Sequence, residues 1–238
     1  MIFLCFAVKD RLPLINDFYH YLSNFGLDVW YDRSNIYLGD HRWETNIQNG
    51  AENKNVKYAV VFYSENFRCG NICLDEFDIL RRRYNKGEIS IFPVFLSEVP
   101  DTIDDRFNLC KTLVYKQIHS QSDFMALSLH IIAKITSDEL KTTKYKNISD
   151  IQNFYQDKNS SLYKLITEYN NIKSTNYNMR IAFLFALFIE LCSYTDTIYY
   201  HYKTMNFIYH QNCLDILVDE KRELQIMENI IVYYFSLL

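Results

Sequence analysis

The stretch NICLDEFDIL, Asn71 to Leu80, holds the residue best placed to do chemistry. Read as a helix, it puts Ile72, Glu76 and Leu80 in line, with Cys73 and Phe77 beside them, because positions three and four apart share a face. Glu76 therefore stands in an apolar stripe. The residues three and four places away are Ile72, Cys73, Ile79 and Leu80, so no base on the same helix can neutralise it. Asp78, with Arg81 and Arg82 at those spacings, reads as an ordinary solvated helix residue. A carboxylate in apolar surroundings can stabilise positive charge in a transition state, since a low local dielectric strengthens its field. The competing reading is structural: an acid in the first turn complements the helix dipole, worth about 0.3–1 kcal/mol.

Composition narrows what surrounds this residue. The chain has 238 residues, 49% of them hydrophobic, enough for a substantial core, and a formal net charge of -4 that argues against nucleic acid as a partner. Cysteines stand at 5, 69, 73, 110, 192 and 213 without a CxxC pair or a zinc-type His spacing. Neither a metal site nor a disulfide framework is expected, and reduced thiols point to a cytoplasmic protein. The run IFLCFA after Met1 lacks the basic start and cleavage site of a signal peptide. The most apolar segment, Ile181 to Ile189, is bounded by Arg180 and Glu190. It falls short of the ~20 residues a membrane span needs.

Two grammars divide the chain. In the first half, strand-like runs at Ile2–Ala7, Leu27–Tyr31, Val56–Tyr63, Ile89–Leu96 and Thr112–Ile118 alternate with helical patterns. These patterns cover Leu12–Phe25, 41–53 with Asp40 as N-cap, the opening stretch, and Phe124–Ile135. Gly26 and Gly87 stand where helices end. Such alternation predicts a parallel sheet covered on both faces. The loops after Ala7, Tyr31 and Tyr63 then share the rim beyond the strands' carboxyl ends, where ligands bind in sheets of this kind. After Pro100 no Gly or Pro interrupts the chain. A helical module over 147–238 is expected, with helices near 148–173, 177–206 and 211–236, joined through the polar segment Lys141–Lys146 to a first domain over 1–140.

The first half resembles a TIR domain. FLCFAVKDR is similar to the family's first strand and its polar turn ending in Lys-Asp. GLDVWYDRSNIYLGD is similar to its Gly-hydrophobic-Val-Trp-x-Asp strand and the loop closed by Gly-Asp. VKYAVVFYSENF is similar to its strand ending in Ser, and Ile72 to Phe77 occupy its Trp-Cys-x-x-Glu-Leu box. Four boxes in the right order cover about residues 1 to 137. The departures are Ile72 in place of Trp, Cys5 where Ser is common, and a first turn without the basic residues of some NAD-cleaving members. The resemblance implies an α/β, flavodoxin-like fold with a five-stranded parallel sheet. It also implies cleavage of NAD at the nicotinamide–ribose bond, as in bacterial TIR proteins of Thoeris-like antiphage defence, with Glu76 as the catalytic carboxylate.

Under that resemblance NAD is a substrate and no cofactor is required, so a GxGxxG turn is not needed. The residues expected to meet the substrate are Phe6, Ala7 and Val8 at the first strand's end, Tyr37 in the 32–40 loop, Trp43 just beyond it, and Ile72 and Cys73 beside Glu76. Lys9 and Asp10 read as solvated turn residues. Two other readings stand beside the enzyme: a TIR adaptor that assembles through its 32–40 loop without chemistry, and a receiver-like signalling domain. The second needs acids at the first strand's end, where CFAVKD supplies only Asp10. The helical module, with Tyr-rich faces such as YTDTIYYHY, is expected to join copies of the chain into a homo-oligomer or to bind a regulator or downstream effector.

Overall fold

Short apolar runs build one sheet. Ile2–Cys5 (β1), Val29–Trp30 (β2), Tyr58–Tyr63 (β3) and Ser90–Phe95 (β4) are joined by the more polar pair Lys116–Gln117 (β5). The order is β2-β1-β3-β4-β5 with every pairing parallel. All four residues of β1 are buried, as a central strand covered on both faces requires. The chain leaves β1 toward β2 on one side and returns to β3 on the other, with Ile2 in register with both Val29 and Tyr58. That reversal opens a crevice at the carboxyl ends of β1 and β3. The computed structural model describes residues 1–97, 99–155, 161–194 and 199–238. It divides into two units, Met1–Phe124 and Met125–Leu238.

In the first unit the helices are Asn16–Asn24 (α1), Asp32–Asn35 (α2), Arg42–Thr45 (α3), Glu65–Arg68 (α4), Asn71–Asn85 (α5) and Asn108–Thr112 (α6). Gly26 and Gly87, at φ 85° and 73°, follow α1 and α5 in the left-handed conformation that glycine tolerates. The first regular helix starts at Asn16, not Leu12, because the turns around Pro13 precede it. The helix expected over 41–53 is α3 followed by wider helical turns over Asn46–Ala51. Its N-cap is His41, whose ring accepts from the Glu44 N–H at 3.4 Å. Asp40 instead accepts from the Tyr37 N–H at 2.9 Å and closes the preceding loop.

The second unit is helical: Phe124–Glu139 (α7, whose first residue ends the first unit), Ile148–Tyr155 (α8), Ser161–Asn171 (α9), Tyr177–Cys192 (α10), Tyr199–Cys213 (α11) and Glu220–Phe235 (α12). Helix α7 is tied to α12 by a hydrogen bond from Asn229 Nδ2 to Thr136 Oγ1 (3.2 Å). The helix expected over 177–206 ends at Cys192, and the last helix starts at Glu220 rather than 211. Asp215 takes φ 56° between α11 and α12, so an aspartate does there what glycine usually does. The Asp219 side chain then caps α12 by accepting from the Arg222 N–H at 3.0 Å. Residues 156–160 of the expected 148–173 helix, and 195–198 of the Tyr-rich face, lie outside the described residues. Among the described residues no helix is long and apolar enough to cross a membrane.

Candidate active site

Helix α5 presents one face inward, burying Cys73, Glu76, Phe77, Leu80 and Arg83. Glu76 is only 4% exposed. Its place in the helix counts against the dipole reading. Gly70 is the N-cap, so Glu76 sits in the second turn, and the first turn contains no acid. Because the dipole's effect is confined to that first turn, it does not account for the burial of this carboxylate.

Glu76 lines a cavity of about 580 Å³ at the rim of the sheet. Leu4, Phe6 and Ala7 enter it from β1 and the residues just after it, and Val8 and Lys9 from the following turn. Asp32 enters from the start of α2, Arg42 from α3, Asn46 from the turns that follow it, and Glu65 and Asn66 from α4. Asn71, Ile72 and Cys73 line it beside Glu76. Of the residues expected to meet a substrate, this brings together Phe6, Ala7, Val8, Ile72, Cys73 and Glu76. Tyr37 and Trp43 are not among the lining residues. Tyr37 is 75% exposed on its loop. Trp43 donates its indole N–H to Asp75 Oδ2 at 3.3 Å and lines a separate shallow groove with Asp78, Arg81 and Arg82.

The partner Glu76 lacks on its own helix comes from elsewhere. Asn46, buried at the start of the wide helical turns, donates from Nδ2 to Glu76 Oε1, and its Oδ1 accepts the Trp30 indole N–H at 2.9 Å. Gly50 makes room for this arrangement. A Cβ there would stand 2.6 Å from Phe3 Cε2 and 2.7 Å from Trp30 Nε1, closer than any side chain can approach. Arg83, two turns along α5 from Glu76, holds the same segment from below. Its guanidinium donates to the carbonyls of Ala51 (2.7 Å), Asn53 (3.0 Å) and Val56 (2.9 Å).

Charge around the cavity is mixed. Asp32 pairs with Arg11 and, at 3.2 Å, with Arg42, while its Oδ1 is buried with no hydrogen-bond partner among the described residues. Asp10 is not simply solvated: it accepts from Ser64 Oγ and Asn66 Nδ2 and fastens the first turn to the end of β3. Burial pushes the Glu76 carboxyl up to about 8, and the charge of Asp32 adds to that push. The Cys5 thiol, Asn46 and Arg42 oppose it. Burial likewise pushes the Cys73 thiol up to about 12, which makes it a poor nucleophile at neutral pH.

Asn46, Asp32 and Arg42 were not singled out from the sequence. Asp32 closes the Trp-x-Asp box, so its position was visible while its role was not. Asn46 carries no local mark, because its partners lie 16 and 30 residues away.

The fold and site define a doubly wound parallel α/β domain with a buried acid at the switch-point crevice. A TIR domain profile matches residues 2–129, more than half of the chain, and the chain belongs to that family. A curated relative is the probable 2' cyclic ADP-D-ribose synthase TcpO of Methanobrevibacter olleyae, 33% identical over an alignment of 85 positions that covers 32% of this chain and 24% of that protein. The chain thus spans about a quarter of that relative's length. No solved structure matches the chain.

Proposed function

We propose that the chain cleaves NAD at the nicotinamide–ribose bond, with Glu76 as the catalytic carboxylate. The observation that carries this reading is a buried carboxylate, held by Asn46 and lining a cavity large enough for part of a dinucleotide. Membership of the TIR family supports it, as does a relative named as a cyclic ADP-ribose synthase. Ordinary glycosides need a second acid to protonate the departing oxygen. Nicotinamide departs from NAD as a neutral molecule: the bond's electron pair goes to the ring nitrogen and cancels its charge. What remains is a ribose with oxocarbenium character, which a nearby carboxylate stabilises. Water captures it to give ADP-ribose, or one of the molecule's own hydroxyls gives a cyclic isomer, with one proton released in either case. Chromatography of the products beside free nicotinamide tests the reaction and separates the two outcomes. A role in antiphage defence and assembly into oligomers belong to the same proposal.

The carboxylate must be ionised to act, and its pKa near 8 sets a pH dependence. At limiting NAD the rate is expected to rise with pH through about 8, because kcat/KM follows the deprotonated free enzyme. With NAD bound, the cationic nicotinamide ring favours ionisation, so the corresponding limb in kcat falls at lower pH. Nicotinamide release measured across neutral to alkaline pH checks this. A flat profile would count against Glu76 as the ionising group.

A second reading, assembly without chemistry, draws on Tyr37 and Leu38, which stand almost free at the tip of the 32–40 loop. Under it, Glu76→Gln would leave assembly and signalling intact. Asp75→Asn serves as the control for the enzyme reading. Asp75 touches Trp43 rather than the cavity, and Asn keeps an acceptor for the indole, so NAD turnover is expected to stay near wild type.

A further inference from the structure

The hydrogen-bond chain from Trp30 through Asn46 to Glu76 contains a choice that only one orientation satisfies. An asparagine side chain has a donor end and an acceptor end, and an indole N–H can only donate. Trp30 therefore claims the Asn46 oxygen, at 2.9 Å, which leaves the Asn46 NH₂ facing Glu76 Oε1. A carboxylate that receives this donor is favoured in its charged form and fixed in direction. The other groups around the carboxyl have different effects. The Cys5 thiol of β1 reaches it and also its neighbour, the Cys73 carbonyl, at 3.6 Å. Arg42 is already engaged with Asp32, and Asp32 opposes ionisation. Asn46 is thus the neutral donor on Glu76 whose orientation another residue dictates.

We propose that Asn46 is a positioning residue for Glu76, with Trp30 as the lock that keeps its donor end on the carboxylate. The role deepens the NAD-cleaving reading, and it also makes a claim that does not depend on NAD. Trp30 is not among the residues lining the cavity, so its effect on the site passes through Asn46.

The test is the titration of the Glu76 carboxyl, followed by carbon NMR in protein labelled at glutamate, with the signal assigned by its loss in Glu76→Gln. In Asn46→Leu the carboxyl is expected to titrate about one pH unit higher than in wild type, because the donor to the charged form is gone. Trp30→Phe keeps an aromatic ring but frees the amide to rotate, and is expected to shift the titration in the same direction by less. In both variants kcat near neutral pH should fall about tenfold or more for Asn46→Leu and less for Trp30→Phe, with KM little changed. Asn46→Leu in a Glu76→Gln background should cost no further activity. Unchanged titration in a folded Asn46→Leu or Trp30→Phe protein would overturn the proposal. A raised titration in a chain that does not cleave NAD would uphold the Asn46–Glu76 linkage and remove only the NAD reading.

Discussion

Replacing Glu76 with Gln is expected to slow NAD cleavage on the order of 10³-fold, about 4 kcal/mol, while making the protein more stable at alkaline pH. Gln keeps the size and an acceptor for Asn46 but not the charge, so the ground-state structure persists and the transition state loses its counterion. The stability effect follows from the same burial. The unfolded carboxyl releases its proton near 4.5 and the folded one near 8. Between these values the unfolded state binds fewer protons, so wild-type stability falls as pH rises through that window, by a total on the order of a few kcal/mol. Gln does not titrate, so the variant's advantage should open above about 4.5 and level off above about 8. Thermal melts at a series of pH values check this beside turnover. A folded variant with wild-type turnover, or a stability difference independent of pH, would contradict the role assigned to Glu76.

The largest structural effect is expected at Arg83. Its aliphatic stem and guanidinium are buried beneath the segment that carries Asn46, and three carbonyls depend on it. Glu88 Oε2, 3.2 Å from Nε, is half exposed and contributes little by comparison. Arg83→Met keeps much of the volume but leaves the carbonyls of Ala51 and Val56 buried without their donor. A loss of about 3 kcal/mol or more is expected from denaturant unfolding, because buried polar groups that lose their partner carry the full cost of desolvation. Arg83→Lys should recover part of it, since a single ammonium cannot reach three acceptors as a planar guanidinium does. The change should also loosen Asn46 and lower turnover. A midpoint within about 0.5 kcal/mol of wild type would show that the clamp does not hold the segment.

Glu76 was legible because helical spacing is a local rule: a carboxylate among Ile72, Cys73, Ile79 and Leu80 is anomalous whatever the rest of the chain does. The sheet was legible for a similar reason, since apolar runs between helical patterns at short range imply parallel pairing. What spacing cannot carry is the direction of a loop aromatic. Tyr37 and Trp43 stand close to the rim in sequence, yet Trp43 turns its indole N–H to Asp75 and Tyr37 points to solvent. Asn46 was hidden because its meaning lies in two through-space bonds. Helix ends in the second unit were hidden because Cys192 and Asp215 end or turn the chain without glycine or proline.

The central claim meets its most direct test when the full chain is incubated with NAD, dilute and at high concentration, and free nicotinamide is quantified beside the nucleotide products. Wild-type chain is expected to release one nicotinamide for each NAD consumed, and Glu76→Gln to release it on the order of 10³-fold more slowly. NAD that stays intact in the presence of the folded wild-type chain at every concentration would contradict the claim that this cavity cleaves it.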